Sequence, residues 1–350
     1  MAAARRHGLL AILHRSVQGK CSGETPAGLR ERLRDLYTRN AERNLRISVQ
    51  LIAVVERLER AGVHVVPFKG PVLAEAVYGD VGMRQFADVD VLVARDDVRR
   101  AGDVLASLGF ELAHGSRGVD DALLQSAESQ AGFCQRTTRT CLELHWRTGP
   151  RFAHASLPAE DLIAAAVPAT LLGRTIPGLT PADTYLVICV HAAHHLWDQL
   201  EHAAALARLI RGGAIEDWPR LLDRAAAYGC LRRCLIGAIL ARRLTGVALP
   251  PEVASAAEAD PTAQDLALEA ERHLFDERAA APGGGIRGIV WQSRALDSPG
   301  AAVRHLVERA ITPGIRDWEW VELPPRLRSL YYVVRPVRMA LSYARRGAQV

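Results

Sequence analysis

The sequence predicts an α/β (α+β) chain: a small mixed sheet with helices, joined to a large all-helical region, with helix dominating overall. Three observations carry this. Two short apolar runs, residues 63–68 and 89–93, are separated by glycine turns and a helical stretch. A hairpin pattern follows, with AGFCQR, then TTRT, then CLELHWR over residues 131–147. Beyond Pro150 the chain turns to alanine, leucine and arginine at helical spacing, broken at Gly173, Gly178, Gly212-Gly213 and Pro250-Pro251.

The elements follow in order. Residues 1–25 read as a short helix or loose tail; the apolar run at 8–13 is only six residues long before His14 and Arg15 interrupt it, too short for a secretion signal. From 26 to 61 the apolar positions Leu29, Leu33, Leu36, then Leu45, Ile47, Leu51, Val54, Val55 and Leu58 recur with helical period, and Gly62 ends the helix. Residues 63–68 read as a buried strand, 72–78 as a helix entered through Gly70, and 79–86 as a loop. A second strand at 89–93, a helix at 96–108 and a short strand at 110–113 come next. This gives four segments: a tail (1–25), N-terminal helices (26–62), a mixed α/β unit (63–150) and a helical domain with a basic C-terminal helix (151–350).

Composition is that of an ordinary globular protein, 49% apolar and 24% charged in 350 residues. A net charge of +5 permits a polyanionic partner without requiring one, and nucleic acid is not favoured. The six cysteines are scattered with no CxxC pair, which reads as reduced thiols in a cytoplasmic protein. No run of 18 apolar residues predicts a membrane span. Of the 44 basic residues only Lys20 and Lys69 are lysines, so Lys69 inside a motif is informative.

The chemistry is concentrated in DVDVLV, residues 88–93. On a strand, alternation puts Asp88 and Asp90 on one face and Val89 and Val91 on the other. Paired carboxylates hold magnesium, which is bound by one or two carboxylates plus substrate phosphates. Glu143, in the apolar-acid-apolar pattern of LELH, is a candidate third ligand or a base for an attacking hydroxyl. The Gly70 turn at the mouth of a helix can offer backbone N–H groups to phosphate, with Lys69 beside it and Arg84 as a second phosphate contact.

The run FKGPVLAEAVYGDVGMRQFADVDVLV (68–93) resembles the nucleotidyltransferase superfamily that includes DNA polymerase beta, and more closely the bacterial family of uncharacterised nucleotidyltransferases. LELHW (142–146) and HAAHHLWDQL (191–200) are similar to that family's later motifs. The resemblance implies a nucleotidyltransferase fold, magnesium (or manganese in its place) and an NTP such as ATP as substrate. It makes Asp88, Asp90 and Glu143 the catalytic metal ligands and sets Lys69 and Gly70 at the phosphates. Family members from biosynthetic gene clusters, including those of ribosomal peptides, imply a small-metabolite or peptide acceptor, with RNA as a further alternative. The acceptor is expected near His145, His194, His195 and Trp197. Pro71 departs from the superfamily's usual Gly-Ser or Gly-Gly turn and removes a backbone donor, which shifts the phosphate grip toward Lys69 and Arg84.

Other readings use the same residues. A catalytically degenerate nucleotide- or partner-binding module would keep the fold without turnover. A zinc hydrolase would use His191 and His195, an i, i+4 pair. No GxSxG elbow supports a serine hydrolase. The C-terminal segment interleaves Arg326, Arg328, Arg335, Arg338, Arg345 and Arg346 with Leu327, Leu330, Tyr331, Val334 and Leu341. Its expected role is the solvated basic face of a packed helix, not a peripheral membrane contact.

Overall fold

A computed structural model describes residues 1–19, 25–112, 129–149, 157–275 and 286–347. A five-stranded mixed sheet runs in the order β1-β2-β5-β4-β3, from β1 (Val65–Pro67), β2 (Asp88–Val93), β3 (Phe110–Leu112), β4 (Gln130–Gln135) and β5 (Cys141–His145). Only β2 and β5 are parallel; the other pairs are antiparallel. Parallel neighbours need a long crossover, and here it carries the helix Val98–Ser107 and strands β3 and β4.

The predicted long helix is present as Ala27–Arg60 and turns off at Gly62, whose φ of 73° favours glycine. Its apolar stripe of Ile47, Leu51, Val54, Val55 and Leu58 packs on the sheet with Val89, Val91, Leu142 and Leu144. Two polar residues on the same helix do a different job. Asn40 Nδ2 donates to the carbonyls of Gly82 and Arg84, and Asn44 Nδ2 donates to those of Val81 and Arg84. Both clamp the loop that leads into β2, and that loop includes a short 3-10 turn, Val81–Met83.

The first nineteen residues form two helices, Ala2–Arg6 and Leu10–Gly19, the second burying Leu10 and Val17 beside Leu33 of the long helix. The region after residue 157 is mostly helical, and its core gathers around the helices Pro181–His194, Leu200–Arg211 and Leu231–Thr245. The helical expectation fails over 167–178, which is a β-hairpin, β6 (Val167–Leu171) and β7 (Arg174–Gly178). Its two-residue turn, Leu172-Gly173, has φ of 49° and 73°, the conformation tight hairpins require. Val167, Thr170, Thr175 and Ile176 are β-branched, and Pro168 and Pro177 do not continue a helix.

The reduced-thiol expectation is corrected. Cys134 and Cys141 face each other across β4 and β5 with their Cα atoms 4.1 Å apart, and they form a disulfide. Cys189, Cys230 and Cys234 are free and buried; Cys21 lies outside the described residues. No helix among the described residues is long and apolar enough to cross a membrane.

The C-terminal expectation is also corrected. Over residues 331–342 the outward face of the helix Tyr331–Gly347 is apolar, whereas Arg335 and Arg338 turn inward to Asp317. Most of the expected flexible loop at 279–288, along with residues 115–127, lies outside the described residues.

Candidate active site

The β2 strand separates its residues as alternation requires. Val89, Val91 and Val93 enter the core, while Asp88 and Asp90 face a cavity of about 540 Å³. Across the parallel pair, Asp90 stands opposite Glu143, and Asp88 opposite Cys141. Equal register puts the side chains of Asp90 and Glu143 on the same face of the sheet, and His145, two residues on, joins them.

The contacts are tight. Lys69 Nζ donates to Asp90 Oδ1 at 2.9 Å. His145 Nε2 lies 3.0 Å from the same oxygen and 3.3 Å from Glu143 Oε2. Burial pushes the Asp90 carboxyl toward protonation, but the Lys69 ammonium and the His145 hydrogen bond outweigh it and hold Asp90 ionised. Burial disfavours a charged His145, yet its bonds to Asp90 and Glu143 raise it overall. Asp88 is raised by burial, then by the charges of Asp90 and Glu143.

Lys69 is placed by the start of the helix Gly70–Tyr78. Gly70 has a φ of 59°, and a Cβ there would stand 3.3 Å from the Asp88 carbonyl oxygen. The chain thus brings the backbone of the lysine turn against the DxD strand in a way only glycine permits without strain. Pro71 falls in the first helical turn, where a missing N–H breaks no intrahelical bond.

Arg84 lines the cavity, but its guanidinium is committed. Nε and Nη2 donate to the two oxygens of Glu201 at 2.6 and 2.7 Å, with both side chains buried. The bidentate pair keeps Arg84 charged and Glu201 ionised despite the burial of both. Tyr78 Oη donates to Glu201 as well, at 3.4 Å. The pair ties the loop before β2 to the helix Leu200–Arg211.

The opposite wall is built of imidazoles. His191, His194, His195 and His202 line the cavity with Asp198, Gln199 and the buried Arg233. Ring centroids of His191 and His195 are 4.6 Å apart, and those of His191 and His202 are 5.6 Å apart. Burial lowers all four, His194 to about 4, so these imidazoles are neutral near pH 7. The wall exists because the chain bends sharply after the helix Pro181–His194. Leu196 and Trp197 are consecutive left-handed residues, with φ of 55° and 57°. That bend directs His195 and Asp198 to the cavity and sends Trp197 into the helical core, against the space left by Gly237. Trp197 is therefore buried in that core and does not line the cavity.

Sequence reasoning missed His202, Asp198 and Arg233 as cavity residues, and Glu201 as the buried partner of Arg84. His202, Glu201 and Arg233 lie on helices that read as uniform amphipathic pattern, Asp198 lies in the connection between two of them, and only the tertiary packing distinguishes them.

A metal fits the carboxylate side. Donor atoms of Asp90, Glu143 and His145 all lie within 4.8 Å of one another, the one such cluster among the described residues. The oxygen-rich set, with Asp88 beside it, suits a hard cation. The imidazoles of HxxHH are not part of such a cluster among the described residues.

The sequence model of the family described as "Uncharacterised nucleotidyltransferase" matches residues 1–246. The chain belongs to that family. The match takes in both N-terminal helices, the sheet, the hairpin and the histidine wall. It stops short of the last hundred or so residues, including YYVVRPVR. A search of curated proteins finds none that matches the chain. Membership in a nucleotidyltransferase family implies an NTP substrate and a divalent metal, and the cavity offers side chains suited to both.

Proposed function

We propose that this nucleotidyltransferase moves an NMP group from a magnesium-bound NTP to a small-metabolite or peptide acceptor, releasing pyrophosphate. The observation that carries the reading is the register of β2 and β5, which sets Asp90 directly opposite Glu143 on one face, with Asp88 on the same face and Lys69 on Asp90.

Asp88, Asp90 and Glu143 would hold the metal, with His145 fixing the Asp90 and Glu143 carboxylates. Magnesium bound there would supply positive charge to the triphosphate and lower the cost of charge build-up at the transferring phosphorus. Lys69 is the cation assigned to the phosphates: its side chain is partly exposed and reaches from the mouth of a helix. It neutralises Asp90 in the free protein and turns to the phosphates when they arrive. Arg84 acts through Glu201, holding the loop into β2, rather than as the direct phosphate contact the motif suggests.

The acceptor occupies the histidine wall. Neutral imidazoles donate and accept hydrogen bonds without repelling an uncharged hydroxyl or amine. The attacking oxygen or nitrogen forms the new bond to the α-phosphorus as the bond to pyrophosphate breaks, and Glu143 or a facing imidazole takes the proton.

The test is incubation with α-labelled NTPs, magnesium and a cell extract. Label passes to an acceptor with the wild-type protein and not with Asp88→Ala. Equal labelling with both would refute the assignment. A degenerate binding module has one observation in its favour, the occupation of Asp90 by Lys69 and His145. It would instead bind NTP with magnesium and label nothing.

A further inference from the structure

The C-terminal helix Tyr331–Gly347 is turned inside out. Over residues 331–342 its exposed positions are Tyr332, Val333, Pro336, Val337, Ala340 and Leu341, an apolar stripe at helical spacing. Val333 is 61% exposed. The inward positions hold the charges: Arg335 Nη1 and Arg338 Nε donate to Asp317, which is 0% exposed. Arg335 also donates to the Arg309 carbonyl, fixing this helix against the helix Pro299–Ile311. That neighbour exposes Val303, Leu306, Val307 and Ile311.

A buried ion pair is a costly way to orient a helix if its apolar face has nowhere to go. Exposed apolar surface on this scale marks an interaction site. Charge identifies the occupant. Residues 299–350 hold nine arginines and four acids, an excess of five that equals the whole chain's net charge of +5, so the remaining residues balance. Arg304, Arg316 and Arg326 are exposed in this segment against the exposed acids Glu319 and Glu322, and Trp320 and Tyr332 add exposed aromatic side chains suited to a lipid interface. A second copy would bring two faces of the same sign together, which disfavours self-association.

We infer that the C-terminal helices form a docking face for an anionic lipid surface, lying in the headgroup region without crossing it. This reverses the expectation of a solvated basic face. It is independent of the catalytic reading, since the face is outside the cavity.

The experiment is co-sedimentation of the full chain with phosphatidylcholine vesicles made with or without phosphatidylglycerol. Wild-type protein should sediment with the anionic vesicles, release as salt rises, and bind the neutral ones weakly. Val333→Ser/Val337→Ser/Leu341→Ser should lower binding by at least about tenfold with an unchanged melting temperature, because these side chains are already exposed. Arg304→Gln/Arg326→Gln should lower only the anionic component. Absence of sedimentation, or equal sedimentation of wild type and the triple variant, would overturn the inference. Equal binding to neutral vesicles would overturn its charge component. A mass that doubles in sedimentation velocity, and does so no longer in the triple variant, would assign the face to a second copy instead.

Discussion

Lys69 and Asp90 meet at 2.9 Å, so the ammonium occupies a carboxylate oxygen that the proposed metal needs. The two cations compete for one anion. Lys69→Met should therefore tighten Mn²⁺ binding in the absence of nucleotide, on the order of tenfold, while reducing nucleotidyl transfer by about 100-fold or more. Titration calorimetry and the labelling assay read the two effects separately.

Asp90 and Glu143 differ in burial, and their variants should separate accordingly. Asp90 is buried with two partners, so Asp90→Asn should cost roughly 3 kcal/mol of stability as well as activity. The Glu143 side chain is about one-third exposed, and Glu143→Gln should lose transfer by about 100-fold with little change in denaturant midpoint.

The Arg84–Glu201 pair predicts a compensating double variant. Arg84→Met or Glu201→Leu alone leaves a buried charge unpaired and should cost about 3–5 kcal/mol, whereas the double variant should recover most of that loss. If Arg84 only positions the loop, kcat returns with stability. A direct phosphate contact would leave the double variant stable and inactive.

The histidine wall predicts acid lability. His191, His194, His195 and His202 are all lower in the folded protein than the ordinary 6.5, with His194 at about 4. Between those values the unfolded chain takes up protons that the folded one refuses, so stability falls as pH drops. Each such histidine adds a slope of up to about 1.4 kcal/mol per pH unit. His194→Gln should flatten the decline in melting temperature from pH 7 to pH 5.

Gly70→Ala should destabilise by roughly 1–2 kcal/mol through its left-handed backbone alone. Contact with the Asp88 carbonyl adds displacement of the DxD strand, so transfer should fall further than stability does. Comparing thermal melts with the labelling assay checks this.

Much of the carboxylate side was legible in the sequence because its signals are local. DVDV alternates with the strand period, LELH does the same, and Lys69-Gly70 opens a helix. What joins them is non-local: no pattern announces that β2 and β5 pair in parallel with Asp90 against Glu143. The opposite wall was less legible. HxxHH was visible, but the left-handed pair Leu196-Trp197, which decides which side chains face the cavity, has no glycine to mark it. Arg84 read as a phosphate contact because its buried partner, Glu201, lies 117 residues away. The hairpin at 167–178 was overlooked because Gly173 and Gly178 in an alanine-rich stretch read as helix breaks.

The parallel pairing of β2 and β5 also has a consequence for how the protein acquires its site. His145 and Asp90 are 55 residues apart in sequence, and no short turn can bring their strands together. Closing such a loop is entropically slow and precedes any reward from pairing. Metal affinity should therefore emerge late in refolding, after the local helices have formed. The rate at which Mn²⁺ binding returns in a refolding experiment would time the long-range step of folding itself.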